Sequence, residues 1–147
     1  MNPTPRVVAA GFLVLAALAL PAQVAAQTAE PLTTSVLAGA YSVPQARNGE
    51  AVFKRVCAQC HAAVQFSDVN FQRAWSGRTA RDIFELIRTQ MPQDQPGSLS
   101  RIEYAAVVAY LFELNGYPPG DSALATDTAG LSRVRIERKP TTTTTPP

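Results

Sequence analysis

The amino-acid sequence predicts an all-α fold built on three main helices. Apolar residues recur at intervals of three and four positions in three separate segments, which is the period of a helix packed on one side. Residues that favour helix ends stand at the limits of these segments. No segment alternates convincingly between apolar and polar residues, although residues 132–138 fit a short extended strip on the surface.

The first two helices are predicted from their apolar stripes. The first spans about residues 44–56, and its stripe consists of Gly49, Val52, Phe53 and Val56. The second spans about residues 79–90 and begins at Thr79, which forms a cap-like pattern with Asp82. It must stop before Pro92, because the residue that precedes a proline is pushed out of helical geometry.

The third helix has the clearest limits. Ser100 and Glu103 form a capping-box pattern at its start, and Asn115 and Gly116 provide a C-terminal stop. Residues 104–112 between them carry no charge. A helix that is apolar nearly all round must be buried on several sides, so this segment is predicted to be the centre of the core.

The two ends of the chain are predicted to lie outside the folded domain. Residues 1–26 resemble a secretory signal peptide, since Arg6 precedes an uncharged apolar run and small residues follow at 24–26. The run is shorter than the roughly 20 apolar residues of a spanning helix. We therefore expect cleavage before Gln27, a periplasmic protein, and no membrane span in the mature chain.

The remaining sequence divides into four parts. A flexible leader is expected at 27–43, one domain at 44–120 and a C-terminal extension at 121–138. The Thr/Pro-rich residues 139–147 are of low complexity and are expected to be a disordered tail. The whole chain has 13 basic and 11 acidic side chains. This balance gives no support for nucleic-acid binding, which needs a concentrated basic face, so no nucleic-acid partner is expected.

All cysteines and the single histidine of the chain fall in the motif CAQCH, as Cys57, Cys60 and His61. Structural zinc needs four ligands, and no further Cys or His is present. A disulfide would close a very short loop and would leave His61 without a role. The CxxCH pattern is typical of covalent haem c attachment, with two thioether bonds and His61 as an iron ligand. A haem-free thiol–disulfide redox protein remains an alternative.

Met91 is the candidate for the sixth iron ligand. Met1 leaves with the signal peptide, so Met91 is the only methionine expected in the mature chain. Its neighbours Gln90, Pro92, Gln93 and Asp94 do not look like core residues, which favours a ligand over a gap-filling side chain. A haem held by His61 and Met91 has a saturated iron, so we expect electron transfer and no catalysis at the haem.

These motifs resemble the class I c-type cytochromes from about residue 44 to residue 119. Gly49 and Phe53 followed by CAQCH are similar to the family's N-terminal helix, and VVAYLFELNG at 107–116 is similar to its C-terminal helix. The resemblance implies a cytochrome c fold of three main helices around one covalent haem. It also implies that Tyr110 packs against Gly49 and Phe53.

A closer resemblance is to bacterial monohaem cytochromes, on residues 77–84, 91–92, 96–100 and 109–116. Such domains resemble the cytochrome parts of sulfite- or thiosulfate-oxidising dehydrogenases and of quinoprotein dehydrogenases. The resemblance therefore implies redox partner proteins, a dehydrogenase or a terminal oxidase, for either a free carrier or a fixed dehydrogenase subunit. It also suggests Trp75 and Arg78 as hydrogen-bond donors to a haem propionate.

One feature departs from the family. Many members have a proline after the histidine whose carbonyl orients the imidazole, and no proline lies between His61 and Met91 here. A different carbonyl is therefore expected to orient His61, because a ligating histidine nearly always has such a partner.

Overall fold

A computed structural model describes residues 33–140, and this part of the chain is mostly helical. Its α-helices are α1 (Val43–Val56), α2 (Asp68–Trp75), α3 (Ala80–Gln90), α4 (Arg101–Leu114) and α5 (Thr128–Arg133). Two-residue strands, β1 (Thr34–Ser35) and β2 (Val134–Arg135), pair in parallel, and short 3-10 turns lie at Val36–Ala38, Cys57–Gln59 and Ala63–Phe66. The predicted all-α class is confirmed. The proposed signal peptide, residues 27–32 of the leader and residues 141–147 of the tail lie outside the described residues.

Helix α1 positions the cysteine motif. Pro44 lies in its first turn, where a missing N–H costs no intrahelical hydrogen bond. Lys54 and Arg55 lie in its last turn, where positive charge opposes the negative end of the helix dipole. The buried face consists of Ala46, Gly49, Val52 and Phe53, close to the predicted stripe. The helix leads directly into the turn that starts at Cys57.

Helix α4 is the centre of the core, as predicted. Eight of its residues are buried. At its start the Ser100 hydroxyl accepts from the Glu103 N–H at 3.2 Å, and the Glu103 carboxylate accepts from the Ser100 N–H at 2.9 Å. The helix ends where Gly116 adopts a positive φ of 67°. A residue without a side chain tolerates this conformation, so the predicted stop is confirmed.

Helices α1 and α4 cross at Gly49. A Cβ atom placed on Gly49 would lie 1.8 Å from the carbonyl oxygen of Ala106, so only glycine fits at this crossing. One turn along α1, the rings of Phe53 and Tyr110 have centroids 5.4 Å apart. The packing of Tyr110 against Gly49 and Phe53 that the family resemblance implies is therefore present.

Helix α3 leads to Met91. At its start the Asp82 carboxylate accepts hydrogen bonds from the N–H and hydroxyl of Thr79, at 2.8 and 2.9 Å. Ala80, Ile83 and Phe84 are its buried residues. Met91 follows the last helical residue in an extended conformation, so it stands at the junction between α3 and the loop.

Two helices were not predicted from the sequence, α2 and α5. Phe71 is the buried anchor of α2, and its ring lies near those of Phe112 and Tyr117. Helix α5 is six residues long and buries Gly130 and Leu131. Segments this short, with so few apolar anchors, show no helical period. They are stabilised instead by contacts with residues distant in the chain.

The N-terminal segment and the C-terminal extension pack in the same core. The sequence predicts a flexible leader over 27–43, but Val36 and Tyr41 within it are fully buried. Residues 132–138 include the extended pair of β2, yet Val134 and Ile136 are buried, so the strip is not confined to the surface. Because β1 pairs with β2, the two ends of the described chain support each other. Neither end shows this in its own sequence, since the partner lies about a hundred positions away.

Candidate functional site

The cysteine motif forms a compact turn at the end of α1. The carbonyl of Cys57 accepts hydrogen bonds from the N–H groups of Cys60 and His61, at 3.1 and 2.9 Å. Cys57 is half-buried, Cys60 is exposed, and both thiols are free. The turn therefore places two thiols and one imidazole close together at the end of a rigid helix.

A cavity of about 630 Å³ opens beside this turn. Its volume lies within the range of cofactor and ligand pockets, roughly 300–1,000 Å³. The lining residues come from α1, the motif, the 3-10 turn Ala63–Phe66, α3, the loop after α3, and α4. They are Phe53, Val56, Cys57, Gln59, Cys60, His61, Phe66, Leu86, Ile87, Met91, Pro92, Gln93, Asp94, Val107 and Leu111. The cavity thus contains both cysteines, the histidine and Met91 in one mostly apolar surface.

Met91 reaches the cavity from the end of α3. Its N–H donates to the carbonyl of Ile87 at 2.8 Å, which continues the helical pattern by one bond. Its own carbonyl accepts a hydrogen bond from the hydroxyl of Tyr104 at 2.8 Å. The backbone of Met91 is therefore held on both sides, by α3 and by α4.

The imidazole of His61 packs against an aromatic pair. Its ring centroid is 5.2 Å from that of Phe66, and Phe66 lies 6.0 Å from Phe53 in an edge-on arrangement. The carbonyl of Phe66 accepts from the side-chain amide of Asn115 at 2.8 Å. Edge-on contacts of this kind are favourable, so Phe66 restricts where the imidazole can lie.

Burial also affects the first cysteine. Desolvation raises the pKa of the Cys57 thiol above its ordinary value. A raised pKa leaves less of the reactive thiolate at neutral pH. Burial therefore keeps a larger fraction of Cys57 in the neutral thiol form than an exposed cysteine would have.

Trp75 and Arg78 are not among the residues that line the cavity. The guanidinium of Arg78 lies over the ring of Trp75, 5.5 Å from its centroid, and the Arg78 side chain is exposed. The carbonyl of Arg78 accepts from the N–H of Ile136 at 2.8 Å. The structure thus brings together Cys57, Cys60, His61 and Met91 but gives the propionate role of Trp75 and Arg78 no support.

Several lining residues were missed from the sequence. Polar groups at the cavity are Gln59, Gln93 and Asp94, and the apolar walls include Phe66, Leu86 and Val107. The stripe of α3 includes Ile87, which the helical period does identify. Phe66 lies in a 3-10 turn, where no period exists to mark it.

The donor set and the cavity fit a haem group. Two thiols, one imidazole and one thioether are the groups that hold haem c in proteins, and all four line this cavity. The apolar side chains of α1, α3 and α4 suit the apolar faces of a porphyrin.

Comparison with known proteins agrees with this fit. Residues 44–111 match the model of a protein family described as cytochrome C oxidase, cbb3-type, subunit III. No curated protein and no solved structure matches the chain. The matched residues contain all but the first residue of α1, the motif, Met91 and most of α4. The chain contains a class I c-type cytochrome domain.

This class defines the chemistry in general terms. A cytochrome c domain implies haem as cofactor and haem-based electron transfer, so this is an electron-transfer protein rather than a catalyst. Within residues 33–140, no helix combines the length and the apolar character that crossing a membrane requires.

Proposed function

We propose that the protein is a periplasmic one-electron carrier with a single haem c, bound covalently and ligated by His61 and Met91. The observation that carries the proposal is that Cys57, Cys60, His61 and Met91 all line one cavity, although Met91 is distant from the motif in sequence. Met91 is the only methionine among residues 33–140, and a random position in the fold would rarely bring it to the cavity that contains the cysteine motif.

Each residue has a separate task in this proposal. The thiols of Cys57 and Cys60 would hold the cofactor covalently, and the imidazole of His61 and the thioether of Met91 would ligate its iron. When bound, the haem would supply one-electron transfer. A thioether ligand favours the reduced iron and raises the potential. Phe53, Val107 and Leu111 exclude water from the site.

The covalent attachment has its own test. The protein is expressed with its signal peptide in a bacterium that attaches haem c, and the purified protein is denatured in detergent. Haem colour that stays with the chain supports thioether bonds, and the Cys57→Ser, Cys60→Ser double variant should lose it. A colourless wild-type protein with two free thiols would contradict the proposal and favour thiol–disulfide chemistry.

The carrier role is tested by a potentiometric titration of the same material. A single reversible step that fits one electron per chain supports the proposal. Rapid turnover of peroxide, or tight binding of carbon monoxide to the reduced protein, would indicate an open iron position and contradict it.

The partners are proposed as redox proteins. The matched family is described as a subunit of an oxidase, which supports a terminal oxidase as electron acceptor. The same description favours a second candidate, a fixed subunit of a larger redox complex. The dehydrogenase type of complex rests on the sequence resemblance alone. Purification from native periplasm distinguishes them, because a carrier elutes at the size of the free chain and a subunit elutes with a larger protein.

A further inference from the structure

Tyr104 connects helix α4 to the loop that carries Met91. The side chain is 1% exposed and its ring packs edge-on against Phe84, with centroids 6.2 Å apart. Its hydroxyl donates to the carbonyl of Met91 at 2.8 Å and lies 3.4 Å from the N–H of Leu99, which donates to it. One buried hydroxyl therefore contacts the first and the ninth residue of the loop 91–99.

This loop has little else to hold it. Residues 93–98 are exposed, and its internal backbone hydrogen bonds run from Gln95 to Pro92 and from Ser98 to Gln95, at 3.0 and 3.2 Å. Segments with few buried contacts open locally more readily than the core does. A tie between the two ends of such a loop therefore has a large influence on how often the loop opens.

We propose that Tyr104 is a positioning residue that holds Met91 at the cavity by closing the loop 91–99. The proposal rests on the proposed function, in which Met91 is the axial ligand. The thioether can stay at the iron only while the backbone of Met91 stays at the end of α3. Tyr104 fixes that backbone from α4, which is itself anchored by its capping box and its buried faces.

The test compares Tyr104→Phe with Tyr41→Phe in the haem-loaded protein. Tyr41 is a matched control because it is equally buried and its hydroxyl donates to one carbonyl, that of Tyr117, at 2.7 Å. Each substitution keeps the ring and removes one buried hydroxyl. Added imidazole competes with Met91 for the iron. The displacement of Met91 is measured as the loss of the far-red absorption band.

The net free energy of one hydrogen bond is enough to change an equilibrium constant by about three- to tenfold. We therefore expect imidazole to displace Met91 in Tyr104→Phe at a concentration about three- to tenfold lower than in the wild type. The amide hydrogen of Leu99 should also exchange about three- to tenfold faster, a readout that does not depend on the haem spectrum. In Tyr41→Phe both quantities should stay within about twofold of the wild type.

The outcomes separate the two proposals. If Tyr104→Phe and Tyr41→Phe behave alike in both measurements while the wild type keeps its far-red band, the positioning role is overturned and the ligand assignment stands. If the wild type shows no far-red band that Met91→Ala removes, the ligand assignment fails, and the role of Tyr104 toward Met91 fails with it.

Discussion

Asn115 is the residue that ties the histidine side of the site to the end of α4. Its side-chain amide donates to the carbonyls of Phe66 and Leu111, both at 2.8 Å, and the residue is 4% exposed. Phe66 in turn packs against His61. The position of the imidazole is therefore linked to the core through one buried amide.

Replacing this residue should be costly. Asn115→Ala removes the hydrogen bonds to the carbonyls of Phe66 and Leu111. Each is worth about 0.5–1.5 kcal/mol net, so the expected loss is about 1–3 kcal/mol in the free energy of unfolding. Denaturant unfolding of the haem-loaded protein measures it. Asn70→Ala, at an exposed position of α2, is the control and should stay within about 0.5 kcal/mol of the wild type. Equal stability of both variants would show that the amide contributes little.

The residues proposed to hold the haem are the part of the site that the sequence predicts at this scale. Cys57, Cys60 and His61 form a contiguous motif, and Met91 follows by elimination, so neither needs knowledge of the fold. The propionate role of Trp75 and Arg78 rested on resemblance and gains no support from the cavity lining. Phe66 and Asn115 could not be found in advance, because their roles arise only when the turn packs on α4.

At the scale of elements, the crossing of α1 and α4 decides whether the site can form. Gly49→Ala would place a methyl group 1.8 Å from the Ala106 carbonyl oxygen, and two backbones cannot yield as a side chain can. The expected cost is about 3 kcal/mol or more, at the upper end of overpacking. Thermal or denaturant unfolding measures it.

Asn48→Ala provides the control for this crossing. Asn48 is the exposed neighbour of Gly49 on the same helix, so its substitution should change the free energy of unfolding by no more than about 0.5 kcal/mol. If Gly49→Ala were as stable as Asn48→Ala, the close approach of the two helices would be contradicted.

The start of α4 is predicted to make stability depend on pH. Hydrogen bonds from the backbone N–H and hydroxyl of Ser100, with a smaller contribution from Arg55, lower the pKa of Glu103. A carboxylate with a lowered folded pKa stabilises the fold above its unfolded pKa. That stability is lost as the pH falls through the folded pKa.

Glu103→Gln tests this dependence. At about pH 6 the variant should be less stable than the wild type by about 0.5–1 kcal/mol, since the neutral amide is a weaker capping partner. The difference should be smaller at about pH 3, because acid shifts Glu103 of the wild type toward its neutral form. Denaturant unfolding at both pH values measures it, and Asp121→Asn, at an exposed position outside the helices, is the control. A difference that does not depend on pH would contradict the assignment.

Three of the five described helices could be predicted from the sequence, each with both ends within about two residues. They carry long apolar stripes or clear caps. Helices α2 and α5 have few apolar anchors, so their formation depends on rings and strands that the local sequence does not reveal.

At the scale of the whole molecule, the N-terminal segment and the C-terminal extension of the described chain pack in one core. Leu131 and Ile136 of the extension are fully buried in the same core as Val36 and Tyr41. The matched family region ends at residue 111, so this packing is built by residues outside it. Motifs and composition predict domain limits at 44 and 120, but they carry no information on contacts between distant segments.

The three described ion pairs contribute little to this architecture. Lys54–Glu50, Arg55–Glu103 and Arg88–Glu85 each have a 2.7 Å contact, but all are at least partly exposed. Such pairs are typically worth between zero and about 1 kcal/mol. The fold is therefore stabilised by the buried aromatic and aliphatic side chains, and in the proposed holo-protein also by the haem.

The most direct test of the central claim is the far-red absorption spectrum of the oxidised, haem-loaded protein and of Met91→Ala. We predict a weak charge-transfer band in the wild type that disappears in Met91→Ala and persists in the control Gln90→Ala, whose side chain is exposed. This result would identify the sixth ligand and support a saturated, electron-carrying iron. A haem protein without the band, or with a band unaffected by Met91→Ala, would contradict the account.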